Sequence, residues 1–240
     1  MQQTKEDCEC ASAACEAHRQ VPQTAFGRRI RRLLRTRGGA AYWIGKRACD
    51  FFFSLIMLIL LSPIFLLISV SVVLTSEGSA IYRHQRIGKN GRPINVLKFR
   101  TMVSNADEQI CCFSAAQMKE WENNFKLEND PRITAVGRFL RRSSLDELPQ
   151  LVNIIRGEMS LVGPRPVIAV ELEKYGENKP KFLSVTPGLT GYWQAYARSD
   201  CDYDRRMQME LEYVDHANFL WDIQILMATC KTVLRGKGAR

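Results

Sequence analysis

The chain has 240 residues, a formal net charge of +9 at pH 7 and a calculated isoelectric point of about 9.3. Its length suits one or two domains, and its basic balance suits nucleic acid, anionic lipid or phosphorylated substrates as partners. The eight cysteines form no CxxC pairs and the three histidines show no ligand spacing, which excludes the common patterns of structural zinc sites. We interpret the cysteines as reduced thiols of a cytosolic protein.

The first 40 residues are polar, then rich in arginine, and they close on Gly38 and Gly39. We predict that residues 1–40 form a flexible basic tail that rests on anionic lipid headgroups. A transit peptide is the alternative, and four acidic residues within the first 16 argue against it. The apolar segment that follows begins too late and runs too long for a secretory signal peptide.

Residues 51–74 read FFFSLIMLILLSPIFLLISVSVVL, a run that would extend about 36 Å as a helix, enough to cross a bilayer. Pro63 interrupts it, because proline lacks an N–H and its ring collides with the carbonyl of Ile59, while Ser62 can bond to the freed backbone. Basic residues flank both ends, so the positive-inside rule places both ends in the cytoplasm. We predict a re-entrant membrane helix over residues 41–78, broken at Ser62-Pro63, with a kinked spanning helix as the alternative. Lipid, and not nucleic acid, is therefore the predicted partner.

A short hairpin is predicted after the apolar run, with a turn at residues 89–92 between two extended pieces. Its second strand leads to Lys98, Arg100 and Thr101. The residues alone leave two interpretations open, a basic hairpin that lies on lipid headgroups and a phosphate-binding strand. Periodic apolar residues then predict helices, including one that carries three arginines towards an acid pair. These arginines are Arg138, Arg141 and Arg142.

The acid pair is Asp146 and Glu147. Ser144 with Glu147 fits a capping box, an ordinary helix start, whereas Pro149 favours a helix that begins after the acids. In either register the helix dipole and the arginines favour ionised carboxylates. Adjacent side chains on a helix diverge, so we expect the two acids to divide the work. One can attack phosphorus while the other holds a divalent cation.

Three features follow the acid pair. Prolines on both sides of Arg165 predict a stiff turn that holds this arginine in place, with plain loop punctuation as the alternative. Tyr192 and Trp193 suit either base stacking or the membrane interface. The C-terminal residues alternate charged and apolar types at helical spacing, which indicates core packing and leaves room for a homodimer. Together the patterns predict a mainly α-helical fold with a small β element.

Seven motifs in order resemble those of the bacterial sugar transferases, the monotopic phosphoglycosyl transferases. The resemblance covers roughly residues 45–238. The motifs are KRxxD at 46–50, the Ser62-Pro63 break, KFRTM at 98–102, NDPRIT at 129–134, GRFLRRSSLDELPQL at 137–151, MSLVGPRP at 159–166 and TPGLTGYWQ at 186–194.

The resemblance implies a single-leaflet re-entrant helix, interfacial amphipathic helices and a compact catalytic domain over residues 79–240, on the cytoplasmic face of the bacterial inner membrane. It implies transfer of a sugar-1-phosphate from a nucleoside diphosphate sugar, usually a UDP sugar, to undecaprenyl phosphate. Asp146 would be the nucleophile and Glu147 would help to bind Mg²⁺. The substrate-binding residues that it implies are Lys98, Arg100, Arg141, Arg165 and Arg198.

One segment departs from the family pattern. Members commonly follow Trp-Gln with Val-Ser-Gly-Arg, whereas this chain has Ala195-Tyr196-Ala197-Arg198. Alanine at 197 would be strained if the position requires a positive φ. The functional alternative is a non-catalytic membrane anchor that binds anionic lipid and recruits partners. That alternative predicts no dependence on either acid.

Overall fold

The computed structural model describes residues 39–106, 108–114, 117–120, 127, 130–197 and 202–234. Within these ranges the protein is mostly helical with two small sheets, which confirms the predicted class. The helices are α1 (Ala40–Leu60), α2 (Ser62–Thr75), α3 (Ala135–Ser143), α4 (Gln150–Arg156), α5 (Ala169–Glu173), α6 (Lys179–Phe182), α7 (Tyr192–Tyr196), α8 (Tyr203–His216) and α9 (Phe219–Leu234). The strands are β1 (Ile81–Ile87), β2 (Pro93–Phe99), β3 (Ser160–Val162) and β4 (Gly188–Thr190).

Helices α1 and α2 meet at a sharp bend of 64° around Leu61. Pro63 lies in the first turn of α2, and the Ser62 hydroxyl donates to the carbonyl of Ile59 at 2.8 Å. The predicted break and its hydroxyl partner are therefore confirmed. Within the described part of the chain, no single helix is both long and apolar enough to cross a membrane, whereas the bent pair meets that test of length and composition when taken together.

The amino-terminal half of α1 packs against the rest of the protein, while the other half and α2 expose most of their large apolar side chains. Lys46 and Tyr42 both donate to the same oxygen of Asp222 on α9, each at 2.8 Å. Asp50 accepts from the hydroxyl of Ser160 at 2.6 Å. The KRxxD motif thus attaches the bent pair to β3 and α9.

Strands β1 and β2 form the predicted antiparallel hairpin, with Ile81 opposite Phe99 and Ile87 opposite Pro93. The turn contains Asn90 at φ 58° and Gly91 at φ 75°. The inner face of β2 carries Ile94 and Val96 into the main core, and α4 packs on the open edge of this strand. The hairpin and α4 together make the frame that carries the site.

Strands β3 and β4 pair in parallel, with Ser160 opposite Gly188 and Val162 opposite Thr190. A Cβ on Gly188 would lie 2.1 Å from the amide nitrogen of Gly163, so only glycine permits this approach. The pair leads into the GPRP turn and sits in the main core beneath α8 and α9. This core holds the C-terminal helices against α4, the helix that follows the acid pair.

Candidate functional site

The acid pair lies in a 3₁₀ turn, Leu145–Glu147, between α3 and α4. Ser144 ends α3 in the left-handed region at φ 57°, and its side chain makes no capping bond to this turn. The capping-box interpretation is therefore wrong, because an N-cap residue takes an extended backbone and Ser144 is left-handed. Helix α4 begins only at Gln150, after Pro149, as the alternative register predicted.

Lys98 reaches the acid pair from β2. Its Nζ lies 2.6 Å from Oε1 of Glu147, and the two side chains are 23% and 25% exposed. Partial burial makes this ion pair stronger than an open surface pair, and it leaves one side of both groups accessible. The structure thus brings Lys98 and Glu147 together across 49 residues of sequence.

Asp146 is buried, with 8% of its surface exposed. Burial raises its pKa to about 6; the charge of Lys98 acts against this, Glu147 adds to it and Arg141 opposes it. Loss of water outweighs the cationic side chains that favour the ionised form, so the pKa rises. At pH 7 the carboxylate is still the major form, by about tenfold. Asp146 is therefore an ionised but poorly solvated carboxylate, which suits a nucleophile.

Arg141 completes the cluster from the last turn of α3. Its Nε donates to the hydroxyl of the buried Thr101 at 2.9 Å, and burial lowers its pKa against the opposing charges of Asp146 and Asp130. A Cβ on Gly137 would lie 2.0 Å from the carbonyl oxygen of Thr101, so the glycine lets α3 approach this segment. Thr101 therefore orients a guanidinium whose charge acts on Asp146.

Asp130 and Arg132 support the same region through a buried double hydrogen bond. Arg132 donates Nε to Oδ1 at 2.8 Å and Nη2 to Oδ2 at 2.7 Å. Burial acts to raise the pKa of Asp130, but the bonds from Arg132 outweigh it and the pKa is lowered. The sequence presented these residues only as a turn. The signal that could have revealed them was a carboxylate and an arginine on either side of a proline.

Arg100 and Arg165 lie in other surroundings. Arg100 donates to the carbonyls of Ser76, Glu77 and Gly78, so it holds the end of α2 and the structure does not bring it to the acid pair. The backbone N–H of Arg165 donates to Glu210 at 3.2 Å. The binding roles of both arginines stay predictions, and Arg198 lies outside the described residues.

The surroundings of Arg165 form a second charged cluster. Burial lowers the pKa of Arg86 to about 10, and the charge of Arg165 contributes. The guanidinium of Arg206 lies 4.6 Å from the ring centre of Trp193, and Arg86 pairs with Glu171 at 3.1 Å. Trp193 thus stacks on an arginine of its own chain. The charges and aromatic rings of this cluster stabilise the GPRP turn. No local pattern in the sequence indicated that these side chains lie together.

A family model described as "Bacterial sugar transferase" matches residues 41–236. The chain belongs to the bacterial sugar transferase family. This confirms the predicted family, and the match leaves out the first 40 residues.

Several curated members of the bacterial sugar transferase family are similar to this chain. The "Undecaprenyl-phosphate galactose phosphotransferase" of Salmonella typhimurium is 46% identical over 197 residues, which cover 81% of this chain and 41% of that protein. The "Exopolysaccharide production protein ExoY" of Sinorhizobium fredii is 45% identical, covering 82% and 88%. The "UDP-glucose:undecaprenyl-phosphate glucose-1-phosphate transferase" of Escherichia coli is 36% identical, covering 77% and 39%. The chain thus spans about two fifths of the Salmonella and Escherichia coli relatives and most of the Sinorhizobium one.

The carboxylates of this bacterial sugar transferase fit an Mg²⁺ ion that binds together with a substrate. Among the residues that the structure describes, no three histidine, cysteine or acidic side chains converge on one metal position. Mg²⁺ commonly takes one or two protein carboxylates and completes its shell with water and substrate phosphates. Glu147 can provide one such carboxylate, on the accessible side of the cluster.

Ala197 departs from the bacterial sugar transferase pattern, and its backbone is not strained. Its backbone has φ −119° and ψ −34°, which any residue adopts. The condition under which alanine would be strained is therefore not met. The departure from glycine costs the local backbone nothing.

Proposed function

We propose that the protein transfers a sugar-1-phosphate from a UDP sugar to undecaprenyl phosphate through a covalent bond to Asp146. The supporting observation is the buried Asp146 beside Lys98, Glu147 and Arg141, one carboxylate with two cations on different elements. The names of the Salmonella and Escherichia coli relatives describe the same reaction class. The reaction would begin a surface polysaccharide or a related glycoconjugate, as the names of relatives suggest.

The first step forms a phosphorus–oxygen bond between the Asp146 carboxylate and the sugar-bearing phosphorus of the donor. The bond from that phosphorus to the bridging oxygen breaks, and UMP leaves with the electron pair. In the second step a phosphate oxygen of undecaprenyl phosphate attacks the same phosphorus, and the carboxylate of Asp146 leaves. The product is undecaprenyl diphosphate sugar, with no redox change. The resulting kinetics are ping-pong.

The neighbours of Asp146 assist through charge. Among the described residues, Arg141 donates to another side chain through its Nε. Its two terminal nitrogens can therefore bind a phosphate as a pair. Lys98 lowers the cost of the negative charge on Asp146 and on a bound phosphate. Mg²⁺, held by Glu147, would supply Lewis-acid stabilisation of the diphosphate.

The second part of the proposal concerns the location of the protein at the membrane. The α1–α2 pair enters the cytoplasmic leaflet of the bacterial inner membrane and returns, so residues 79–240 work as a catalytic domain at the lipid surface. Support comes from the 64° bend, the exposed apolar side chains on both sides of it and the basic flanks. This arrangement places the acid-bearing domain where a polyprenyl phosphate headgroup lies.

The decisive experiment is intact-protein mass spectrometry after exposure to a panel of UDP sugars with Mg²⁺ and no lipid acceptor. We expect the wild-type protein to gain one phosphosugar and to release UMP, and Asp146→Asn to do neither, because its amide is a poor nucleophile. Ser143→Ala, an alteration on α3, serves as the control and should form the adduct. An adduct of equal yield on Asp146→Asn would remove Asp146 as the nucleophile.

The same experiment separates the enzyme from the membrane anchor. Absence of adduct and of UMP release with every donor, even after polyprenyl phosphate is added, would favour the anchor. In that case binding to vesicles that contain anionic lipid should weaken with salt and should not change in Asp146→Asn.

A further inference from the structure

Asn153 lies in the middle of α4, and none of its surface is exposed. Its neighbours in the same core include Leu151 and Ile154. A buried side-chain amide is costly unless its donors and acceptor are paired, and an apolar side chain would fill the same space without that requirement. The partners of this amide therefore show which segments it holds together.

All of the hydrogen-bonding groups of this amide are directed at specific partners. Its Oδ1 accepts from the backbone N–H of Leu97 at 3.0 Å, and its Nδ2 donates to the backbone carbonyl of Asn95 at 2.8 Å. The remaining proton of Nδ2 is donated to Glu158 at 2.6 Å. The amide thus joins β2, α4 and the turn that ends α4.

The two bonds to β2 have the geometry of sheet pairing. In an extended chain, the carbonyl of one residue and the N–H two positions later point to the same side. On β2 those groups are the carbonyl of Asn95 and the N–H of Leu97, on the edge that β1 does not occupy. The side-chain amide of Asn153 takes the place of a peptide group in a third strand.

We infer that Asn153 is a positioning residue, which sets Lys98 against the acid pair by locking the register of β2 on α4. Lys98 directly follows Leu97, and Asp146 and Glu147 lie in the turn that leads into α4. A slip of one residue along a strand moves a side chain by about 3.3 Å and turns it to the other face. The ion pair of 2.6 Å between Lys98 and Glu147 depends on the register that Asn153 defines.

The inference rests on the proposed function for its catalytic consequence and on geometry alone for its structural one. If Lys98 moves away, the acid pair loses the cation that lies 2.6 Å from Glu147, so the chemical step slows more than donor binding weakens. A purely structural residue would change the amount of folded enzyme without changing kcat per folded molecule or the position of Lys98. The split between kcat and KM and the position of Lys98 therefore separate the two roles.

The test compares Asn153→Ala with Gln85→Ala, which removes an exposed amide from β1. For Asn153→Ala we expect kcat for UMP release to fall by about 10- to 100-fold, as displacement of a catalytic group by about 1 Å does. We expect KM for the donor to change less than kcat. Gln85→Ala should keep the wild-type kcat and KM.

A second variant separates the two bonds to β2 from the bond to the turn. Glu158→Ala removes the third partner of the amide and leaves both bonds to β2 in place. We expect it to keep most of the activity that Asn153→Ala loses. An equal loss of kcat in the two variants would overturn the inference.

A structural measurement keeps this test independent of the proposed reaction. In a crystal structure of Asn153→Ala we expect Nζ of Lys98 to lie more than about 4 Å from Oε1 of Glu147, beyond ion-pair distance. An unchanged separation would overturn the inference even if the enzyme were active. Absence of turnover in the wild type, with the separation changed in Asn153→Ala, would instead count against the proposed function.

Discussion

At the scale of single residues, the site depends on a balance between loss of water and nearby charge at Asp146. Burial raises its pKa to about 6, while Lys98 and Arg141 oppose that rise. A carboxylate in this state is ionised near neutral pH and yet weakly solvated, so in the proposed reaction less solvent has to be removed before it meets phosphorus. The pH dependence of the enzyme should therefore report this one group.

Removal of Lys98 provides the direct test of that balance. Because the charge of Lys98 lowers the pKa of Asp146, Lys98→Gln should raise that pKa and move the acid limb of kcat/KM to higher pH. Activity in both proteins falls as pH drops through the pKa of Asp146, and in the variant the fall begins earlier. We expect turnover at pH 7 to drop by about 10²-fold, as for loss of one stabilising donor.

The matched control for Lys98→Gln is Lys181→Gln, which removes the lysine of a surface ion pair with Asp215. That change should leave the pH profile of UMP release unchanged. If Lys98→Gln kept the wild-type acid limb, the proposed link between Lys98 and the ionisation of Asp146 would be wrong.

At the scale of elements, close approach of α3 to the segment after β2 brings Arg141 to Thr101. Gly137 is the point of contact, and a methyl group there would meet the backbone of Thr101 at 2.0 Å. The contact cannot be relieved by turning a flexible side chain, since the atom met is a carbonyl oxygen. The helix and this segment must separate if Gly137 is replaced.

Gly137→Ala should therefore destabilise the protein, although alanine usually favours a helix by about 1 kcal/mol over glycine. We expect a loss of roughly 1–3 kcal/mol in the free energy of unfolding from the overpacked contact. Urea unfolding followed by circular dichroism in detergent measures it, with Gly39→Ala as the control because nothing lies within 4 Å of its added methyl group. Equal or higher stability of Gly137→Ala would show that the contact is not rigid.

The elements also show what the sequence could reveal. The helix break at Ser62-Pro63 and the hairpin follow from local rules about proline and alternation, and these predictions were confirmed. The start of α4 after Pro149 is one of the two registers that the sequence left open. The roles of Thr101 and Asn153 come from contacts across 40 and 56 residues, which no local pattern encodes. Arg100 is a further case. The basic motif that it shares with Lys98 gave no sign that the side chain of Arg100 caps α2.

At the scale of the whole molecule, the proposed topology makes a prediction about the two ends of the bent pair. Ala41 and Ser79 are exposed on either side of it. In a protein whose native cysteines have been replaced, Ala41→Cys and Ser79→Cys should both resist a membrane-impermeant maleimide added to intact cells, because both flanks face the cytoplasm. Both should react after the membrane is permeabilised.

A spanning helix gives a different result. One of the two introduced cysteines would then react in intact cells, and the re-entrant topology would be wrong while the chemistry at Asp146 stayed untouched. Mass spectrometry of the phosphosugar adduct on the same cysteine variants shows whether the labelled protein is folded and active.

The bond between Lys46 and Asp222 has a consequence for how the protein is made. The two residues are 176 positions apart, so at about 5–20 residues per second a ribosome needs roughly 9 to 35 s to deliver the aspartate after the lysine. Over that interval the apolar α1–α2 pair can already meet the bilayer, while Lys46 still lacks Asp222 as its partner. In the proposed topology, the α1–α2 pair therefore meets the bilayer before Lys46 can bind Asp222, so membrane contact precedes the packing of α1 on α9.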